Sequence, residues 1–199
     1  MATPPAEIAA LLGSRICHDL ISPIGAISNG VELLSMSGAA TLPEIDLIAQ
    51  SVEHANARIG FFRVAFGAAS PHQGLGEIEL RQILDDLTRG SRLSIRWNPG
   101  GEAPRPEVKL AFLVINCLEC AMPRGGAITV ARDGSDWVVA GQAERLRIEQ
   151  PMWDALRQPD LGGGVTAAEV QFILAPLVAN DLGRTLRPEW TDTEVRVSF

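Results

Sequence analysis

Residues Arg15–Ile27 read RICHDLISPIGAI, and this stretch decides the fold of the N-terminal part of the chain. It lies within a long run of amphipathic helical periodicity, yet it contains Pro23. A proline inside a helix removes one backbone hydrogen bond and crowds the carbonyl one turn earlier, at a cost of about 3 kcal/mol. His18 precedes that proline, and the acidic Asp19 follows the histidine directly. A helix that keeps a proline beside a histidine and a carboxylate indicates a functional site.

His18 projects to the side of this helix opposite the apolar stripe, at about 100° per residue. A lone histidine on a polar face is ordinarily a solvated surface residue. The adjacent Asp19, the in-helix Pro23 and the small neighbouring residues favour instead an imidazole that another protein can approach. The apolar stripe contains Leu12, Ile16, Leu20, Ile24, Ile27, Val31 and Leu34, and the polar face around His18 contains Ser14, Ser22, Gly25 and Asn29.

The segment His18–Ile24 resembles the phospho-acceptor box of two-component histidine kinases. That box consists of a histidine, an acidic residue, a leucine, two variable residues, a proline and an apolar residue, and HDLISPI matches it at every defining position. With its continuation Gly25–Leu34, the segment is similar to the ChpT-type histidine phosphotransferases of alphaproteobacteria, and the resemblance covers essentially the whole chain. It implies phosphoryl transfer from an aspartyl phosphate of one receiver domain to His18, and from His18 to an aspartate of another receiver.

The chemistry of the residues around His18 suggests a role for each of them in such a transfer. An imidazole is an uncharged nucleophile at neutral pH, and we expect Asp19 to accept a hydrogen bond from one ring nitrogen, which favours attack by the other. His18 and Asp19 are therefore the expected catalytic residues, while Ser22 is expected to orient the ring and Arg15 to screen phosphate charge. The receiver is expected to supply Mg²⁺, so no cofactor or metal is expected on this chain. The expected receiver-binding residues are Ser14, Arg15, Ser22, Gly25 and Asn29.

Two long helices are predicted in residues 1–68, which form the first expected domain. The first helix is expected from about Pro4 to Ser37, and the second follows a capping box at Thr41–Glu44. Such a hairpin cannot cover its own apolar stripes, so we expect two chains to pair as a four-helix bundle in a homodimer. Cover by the second domain of the same chain is the alternative. The apolar residues of the second helix alternate spacings of three and four, as in a coiled-coil seam: Ile45, Ile48, Val52, Ala55, Ile59, Phe62 and Phe66.

A second domain is predicted over residues 75–199, after a linker at Gly67–Gly76. The order of its helices and strands resembles the ATP-binding domain of histidine kinases. The expected fold class is therefore α+β: an N-terminal antiparallel helical hairpin that forms a dimeric four-helix bundle, then a histidine-kinase ATPase-like α/β sandwich. Helices are expected at Glu79–Thr88, Pro106–Ala121, Pro151–Arg157 and Thr166–Gly183, and strands at Leu93–Trp97, Ala127–Ala131, Trp137–Ala140, Arg184–Pro188 and Glu194–Phe199, with Asp133–Gly134 as a hairpin turn.

The motifs that bind ATP in such a domain are degraded in this sequence. Leu113–Ala121 matches the kinase Asn box, but Cys120 stands where the kinases place a Mg²⁺-binding asparagine, and Mg²⁺ prefers oxygen ligands. Gly141–Arg145 contains no aspartate where the kinases place the one that binds adenine. Gly162–Gly164 corresponds to their phosphate-binding loop, and we interpret it as a relic or a flexible loop. The domain is expected neither to bind nor to hydrolyse ATP.

Composition argues against several other classes of function. The formal net charge is −7 and Lys109 is the only lysine, which argues against a nucleic-acid-binding surface. The sequence shows no signal peptide and no apolar stretch near the roughly 20 residues that span a bilayer, so we expect a cytoplasmic protein that binds no membrane. His54 and His72 are expected at the surface. The cysteines are expected to be reduced thiols, at Cys17, Cys117 and Cys120.

The sequence thus predicts a dimeric histidine phosphotransferase. The resemblance implies a hybrid kinase of the CckA kind as phosphoryl donor, and receiver proteins of the CtrA and CpdR kinds as acceptors. Two other hypotheses stay open at this point. One is an ATP-dependent histidine kinase with divergent motifs, and the other is a scaffold that binds receivers without carrying phosphate.

Overall fold

The computed structural model describes residues 4–37, 42–157 and 165–199, and its first feature is a long helical hairpin. Helix α1 spans Pro5–Ser37 and continues through Pro23, and helix α2 spans Leu42–Ala65 and packs along α1. The predicted extent of the first helix is confirmed. The predicted capping box that opens the second helix begins at Thr41, which lies outside the described residues.

The last turns of α2 belong to the hydrophobic core of the C-terminal part of the chain. Phe61 is fully buried and stacks on Phe112, with ring centroids 4.9 Å apart. The buried Arg105 donates to the carbonyls of Val64 at 2.8 Å and Arg63 at 2.6 Å, and so caps the C-terminal end of α2. The hairpin is thereby fixed to the domain that follows it.

The C-terminal part is an α+β domain built on a five-stranded sheet. Its elements are β1 (Gly74–Gly76), α3 (Glu77–Thr88), β2 (Leu93–Trp97), β3 (Glu102–Pro104), α4 (Arg105–Ala121), β4 (Gly126–Asp133), β5 (Asp136–Gln142), α5 (Gln150–Ala155), a 3₁₀ turn (Ala167–Glu169), α6 (Val170–Asp181), β6 (Arg187–Trp190) and β7 (Glu194–Ser198).

The strand order in the sheet is β2-β4-β5-β7-β6, in which β2 and β4 are parallel and all other neighbours are antiparallel. A separate antiparallel pair joins β1 to β3. The predicted α+β class is confirmed.

One face of this sheet is buried under the helices, and the strands alternate accordingly. Val130, Val139 and Val197 are in register on adjacent strands and are all buried. Helix α4 lies at the centre of the core, because nearly all of its side chains from Leu110 to Leu118 are inaccessible to solvent. The core is therefore the contact between α4 and the buried face of the sheet, with α6 packed beside α4.

Two sequence predictions differ from the structure of this domain. The segment predicted as a linker, Gly67–Gly76, ends in strand β1, which pairs with a short strand β3 that the sequence pattern did not indicate. The strand predicted at Arg184–Pro188 begins only at Arg187, because the chain first closes α6. Gly183, with a φ of +63°, donates to Asn180, and Arg184 donates to Ala179, which is a Schellman-type helix end.

Candidate functional site

His18 lies in the middle of α1 with its ring in solvent, as the sequence predicts. Its side chain is 85% exposed, and its Nδ1 lies 3.2 Å from Oδ1 of Asp19. A carboxylate accepts hydrogen bonds, so this contact favours the tautomer in which Nδ1 carries the proton. Nε2 is then left with its lone pair in the solvent. The geometry presents one ring nitrogen as a nucleophile and holds the other.

Asp19 is itself held from its other side by Arg15. The carboxylate is 13% exposed, and its Oδ2 accepts a hydrogen bond from Nε of Arg15 at 3.0 Å. The Arg15 side chain is only 12% exposed, and its Nη1 donates to the carbonyl of Ala168 at 2.6 Å. Arg15 therefore bridges α1 to the 3₁₀ turn of the C-terminal domain. Screening of an incoming phosphate requires a guanidinium that faces solvent, so this position of Arg15 does not fit the screening role expected from the sequence.

A groove of about 520 Å³ opens beside His18, between the two hairpin helices and the turn that follows α3. We call it the His18 groove. Its cationic side chains are Arg58 of α2 and Arg89 of the turn, and neither was among the residues expected at the site. A row on α2 with helical spacing, Ser51, His54 and Arg58, is the sequence signal that identifies this wall. The groove is lined by His18, Asp19, Ser22, Pro23, Ala26, Ser51, His54, Ala57, Arg58, Leu87, Arg89, Gly90 and Ser91.

The residues expected to bind receivers are divided between two surfaces. Ser22 lines the His18 groove, but Ser14, Gly25 and Asn29 do not. Ser14 and Asn29 are exposed on the open side of α1, and a Cβ atom added to Gly25 would meet no heavy atom within 4 Å. The apolar Ile21 is 68% exposed on the same helix. The structure thus brings Ser22 and Asp19 together with His18 in the groove and leaves the other residues on an open helix surface.

A second carboxylate lies behind Asp19, on α4. Glu119 is within 3.8 Å of Arg58, and it interacts electrostatically with both Arg15 and Asp19. Burial raises the pKa of the Glu119 carboxyl, while the guanidinium groups of Arg58 and Arg15 oppose that rise. The base of the site is therefore a network of two carboxylates and two arginines that joins α1 and α2 to the C-terminal domain.

The region whose sequence resembles a kinase nucleotide site combines close side-chain contacts with a small cavity. Sγ of Cys120 lies 3.1 Å from Nε2 of Gln171, beside a cavity of about 250 Å³. Trp153 lines that cavity and is almost fully buried against Phe172, with ring centroids 5.6 Å apart. A Cβ atom on Gly141 would lie 2.8 Å from Sδ of Met122. The interpretation of Gly162–Gly164 as a relic loop falls outside the described residues.

Three further observations bear on the class of the protein. In the parts of the chain that the structure describes, no group of three or more histidine, cysteine, aspartate or glutamate residues could hold a metal ion. Within the same ranges, no helix is both long and apolar enough to cross a membrane. The three cysteines are free thiols, and Cys117 is buried, which raises the pKa of its thiol.

Comparison with known proteins identifies similar chains. The family model described as the histidine phosphotransferase C-terminal domain matches residues 77–194. The chain is 36% identical over 148 residues to protein phosphotransferase ChpT of Brucella abortus (strain 2308), an alignment that covers 71% of this chain and 70% of that protein. A solved structure of a bacterial phosphotransferase is 30% identical and superposes with a TM-score of 0.84, over 100% of this chain and 98% of the other. The family match does not include the segment around His18.

Proposed function

Because this chain belongs to the ChpT-type histidine phosphotransferases and acts in a phosphorelay, we propose that His18 is the residue that carries the phosphoryl group. The observation that supports this assignment is the geometry of the ring. Its Nδ1 faces the Asp19 carboxylate at 3.2 Å, and the side chain is otherwise in solvent. A receiver domain can therefore bring its aspartyl phosphate to Nε2 without any rearrangement of α1.

The proposed transfer uses His18 as nucleophile and Asp19 as its partner. The Nε2 lone pair attacks phosphorus, an N–P bond forms, and the P–O bond to the receiver aspartate breaks, so that its carboxylate leaves. The imidazole gains positive charge as the N–P bond forms. The Asp19 carboxylate, which accepts from the Nδ1–H group, places a negative charge beside the ring in which that positive charge develops. The reverse attack by a second receiver aspartate returns the ring to its neutral state.

Receiver domains are proposed to dock over α1 and the mouth of the His18 groove. The open helix surface with Ser14, Gly25 and Asn29 carries no bulky side chain at those positions, so a partner can approach the ring closely. Arg58 and Arg89 line the groove and suit a partner that brings acidic residues and a phosphate. Resemblance to the family supports a donor receiver of the CckA kind and acceptors of the CtrA and CpdR kinds, with Mg²⁺ bound by the receiver.

We also propose that two copies of the chain pair through the hairpin. Ile45, Val52 and Ile59 recur every seven residues on α2, and each remains about half exposed in the single chain. Ile24 of α1 is exposed to a similar degree. Since a heptad row on one helix faces one direction, a second hairpin can cover it in a four-helix bundle. The C-terminal domain of the same chain packs against the second half of α2 and still leaves the residues of this row about half exposed, which disfavours the intramolecular alternative.

Loss of ATP chemistry and a cytoplasmic location complete the proposal. Among the described residues, Met122 lies beside Gly141, and the Cys120 thiol, engaged with Gln171, stands where the resemblance to kinases places an oxygen ligand for Mg²⁺. This disfavours a divergent ATP-dependent kinase. The three free thiols fit a reducing compartment, and cytoplasmic receiver domains are the proposed partners.

The test is transfer of labelled phosphate from a phosphorylated receiver domain to the full-length chain. Wild type should acquire an acid-labile phosphate, whereas His18→Ala and His18→Gln should acquire none and keep their fold, because the ring is exposed. His72→Gln, a change in the exposed segment before β1, is the matched control and should retain full uptake. Label that persists in either His18 variant would show that another residue is the acceptor. A wild type that binds receivers yet takes no label would identify a scaffold.

A further inference from the structure

We infer that the C-terminal domain positions the acceptor histidine, and that Arg15 is the positioning residue through which it does so. The inference rests on the proposal that His18 is the acceptor. Three contacts in series connect the domain to the ring. Arg15 donates from Nη1 to the carbonyl of Ala168 at 2.6 Å and from Nε to Oδ2 of Asp19 at 3.0 Å. Oδ1 of Asp19 then faces Nδ1 of His18 at 3.2 Å.

The carbonyl that anchors Arg15 is firmly held. It also accepts a hydrogen bond of 2.8 Å from Nε2 of Gln171, whose side chain is fully buried. The turn that contains Ala168 is closed by a capping box, in which the Glu169 carboxylate accepts from both the backbone N–H and the hydroxyl of Thr166. Sγ of Cys120 on α4 contacts the same Gln171 amide. Hydrogen bonds thus tie the anchor to the buried Gln171 of the C-terminal domain.

The ring of His18 depends on this anchor because little else holds it. Its side chain is 85% exposed, and Asp19 is its hydrogen-bond partner in the described parts of the chain. The tautomer of an imidazole is set by the hydrogen bond that one nitrogen makes, so Asp19 selects Nε2 as the nucleophile only while its carboxylate keeps its orientation. Arg15 fixes that orientation by binding the second carboxylate oxygen. At 12% exposure, Arg15 acts on the ring through Asp19 and does not reach the incoming phosphate.

The test combines kinetics with a direct measurement of the tautomer. Arg15→Met, Asp19→Asn and the double variant are compared with wild type, all as full-length chains, for the single-turnover rate of phosphoryl transfer from a labelled phospho-receiver. The ¹⁵N shifts of His18 report its tautomer. We expect Arg15→Met to lower the rate about tenfold and to shift His18 toward the Nε2–H form, yet to lower the rate less than about twofold in the Asp19→Asn background. Arg15→Lys keeps a donor for Asp19 and should be intermediate.

The matched control is Arg81→Met. Arg81 also pairs with a carboxylate one helical turn away, that of Glu77, but this pair lies far from His18 in the chain. It should change neither the rate nor the tautomer. Equal slowing by Arg15→Met in both backgrounds, or slowing with an unchanged tautomer, would refute the inference, and so would no slowing at all. If Arg15→Met does not fold, the same criteria apply to Arg15→Lys. Label found on a residue other than His18 would refute the proposed function instead.

Discussion

Replacement of Ile59 by glutamate tests whether two hairpins pair. Ile59 is 49% exposed and lies on the heptad row of α2 with Ile45 and Val52. In the single chain, a glutamate at this position can keep its carboxylate in water, so the fold of the monomer should survive the change. In a four-helix bundle the same carboxylate is forced into the apolar contact between the two chains, twice in every dimer.

The expected effect on dimerisation follows from the exposed area. Full burial of an isoleucine or valine side chain stabilises by about 1.5–3 kcal/mol, so a half-exposed one contributes about 1 kcal/mol on pairing. Ile59→Glu removes this contribution from both protomers, about 2 kcal/mol per dimer, and adds a desolvation cost of at least about 2 kcal/mol. The dimer dissociation constant should therefore rise by about 1,000-fold or more.

Light scattering coupled to gel filtration, at low micromolar concentration, measures the outcome. Wild type should be a dimer and Ile59→Glu a monomer with an unchanged far-ultraviolet circular dichroism spectrum. Ile78→Glu is the matched control, since Ile78 is an 86% exposed isoleucine on α3, away from the hairpin row, and this variant should stay dimeric. A monomeric wild type, or a dimeric Ile59→Glu protein, would refute the argument that the exposed row is covered by a second hairpin.

Two further predictions concern access to His18 and the nucleotide region. Gly25→Trp should sharply reduce phosphoryl transfer in a receiver assay, and the protein should stay folded because the open side of α1 has room for the indole ring. Gly25→Ala should transfer normally and be stabilised by up to about 1 kcal/mol. Unimpaired transfer by Gly25→Trp would mean that receivers approach from elsewhere. Calorimetric titration with Mg²⁺ and ATP at millimolar concentration should show no binding, because Cys120 replaces the expected Mg²⁺ ligand and Met122 packs beside Gly141. Saturable heat at micromolar affinity would support the kinase hypothesis.

Local patterns in the sequence predicted most of the secondary structure. The periodicity of α1 survives Pro23, and alternation in Leu93–Trp97 predicted strand β2 at its observed bounds. The Asp133–Gly134 turn also lies between two antiparallel strands, with Gly134 at a φ of +61°. These features depend on a few consecutive residues, which is why a single sequence suffices to predict them. The exposure of His18 follows from the same helical spacing, and its contact with Asp19 joins two consecutive residues.

Contacts between distant segments were not predictable in this way. Strand β3 has three residues, including Pro104, and it forms because β1 pairs with it across 26 to 30 positions of sequence. Gly74 lies opposite Pro104, and Gly76 lies opposite Glu102. The sequence suggests Arg15 as a solvent-facing cation, because a helical wheel does not show that a turn at Ala168 packs against that side of α1. Arg89 reaches the His18 groove only because α3 ends beside α2.

A C-terminal domain that has lost nucleotide chemistry, as we propose, still has structural reasons to keep its fold. Helix α4 supplies Phe112, against which Phe61 of α2 stacks, and Arg105, which caps the last carbonyls of α2. The turn before α6 supplies the carbonyl that holds Arg15. Loss of the sheet core would therefore release the base of the hairpin and the carboxylate beside His18 together. The hairpin and the sheet domain thus form one unit, in which α4 and the turn before α6 hold the end of α2 and the residues beside His18 in place.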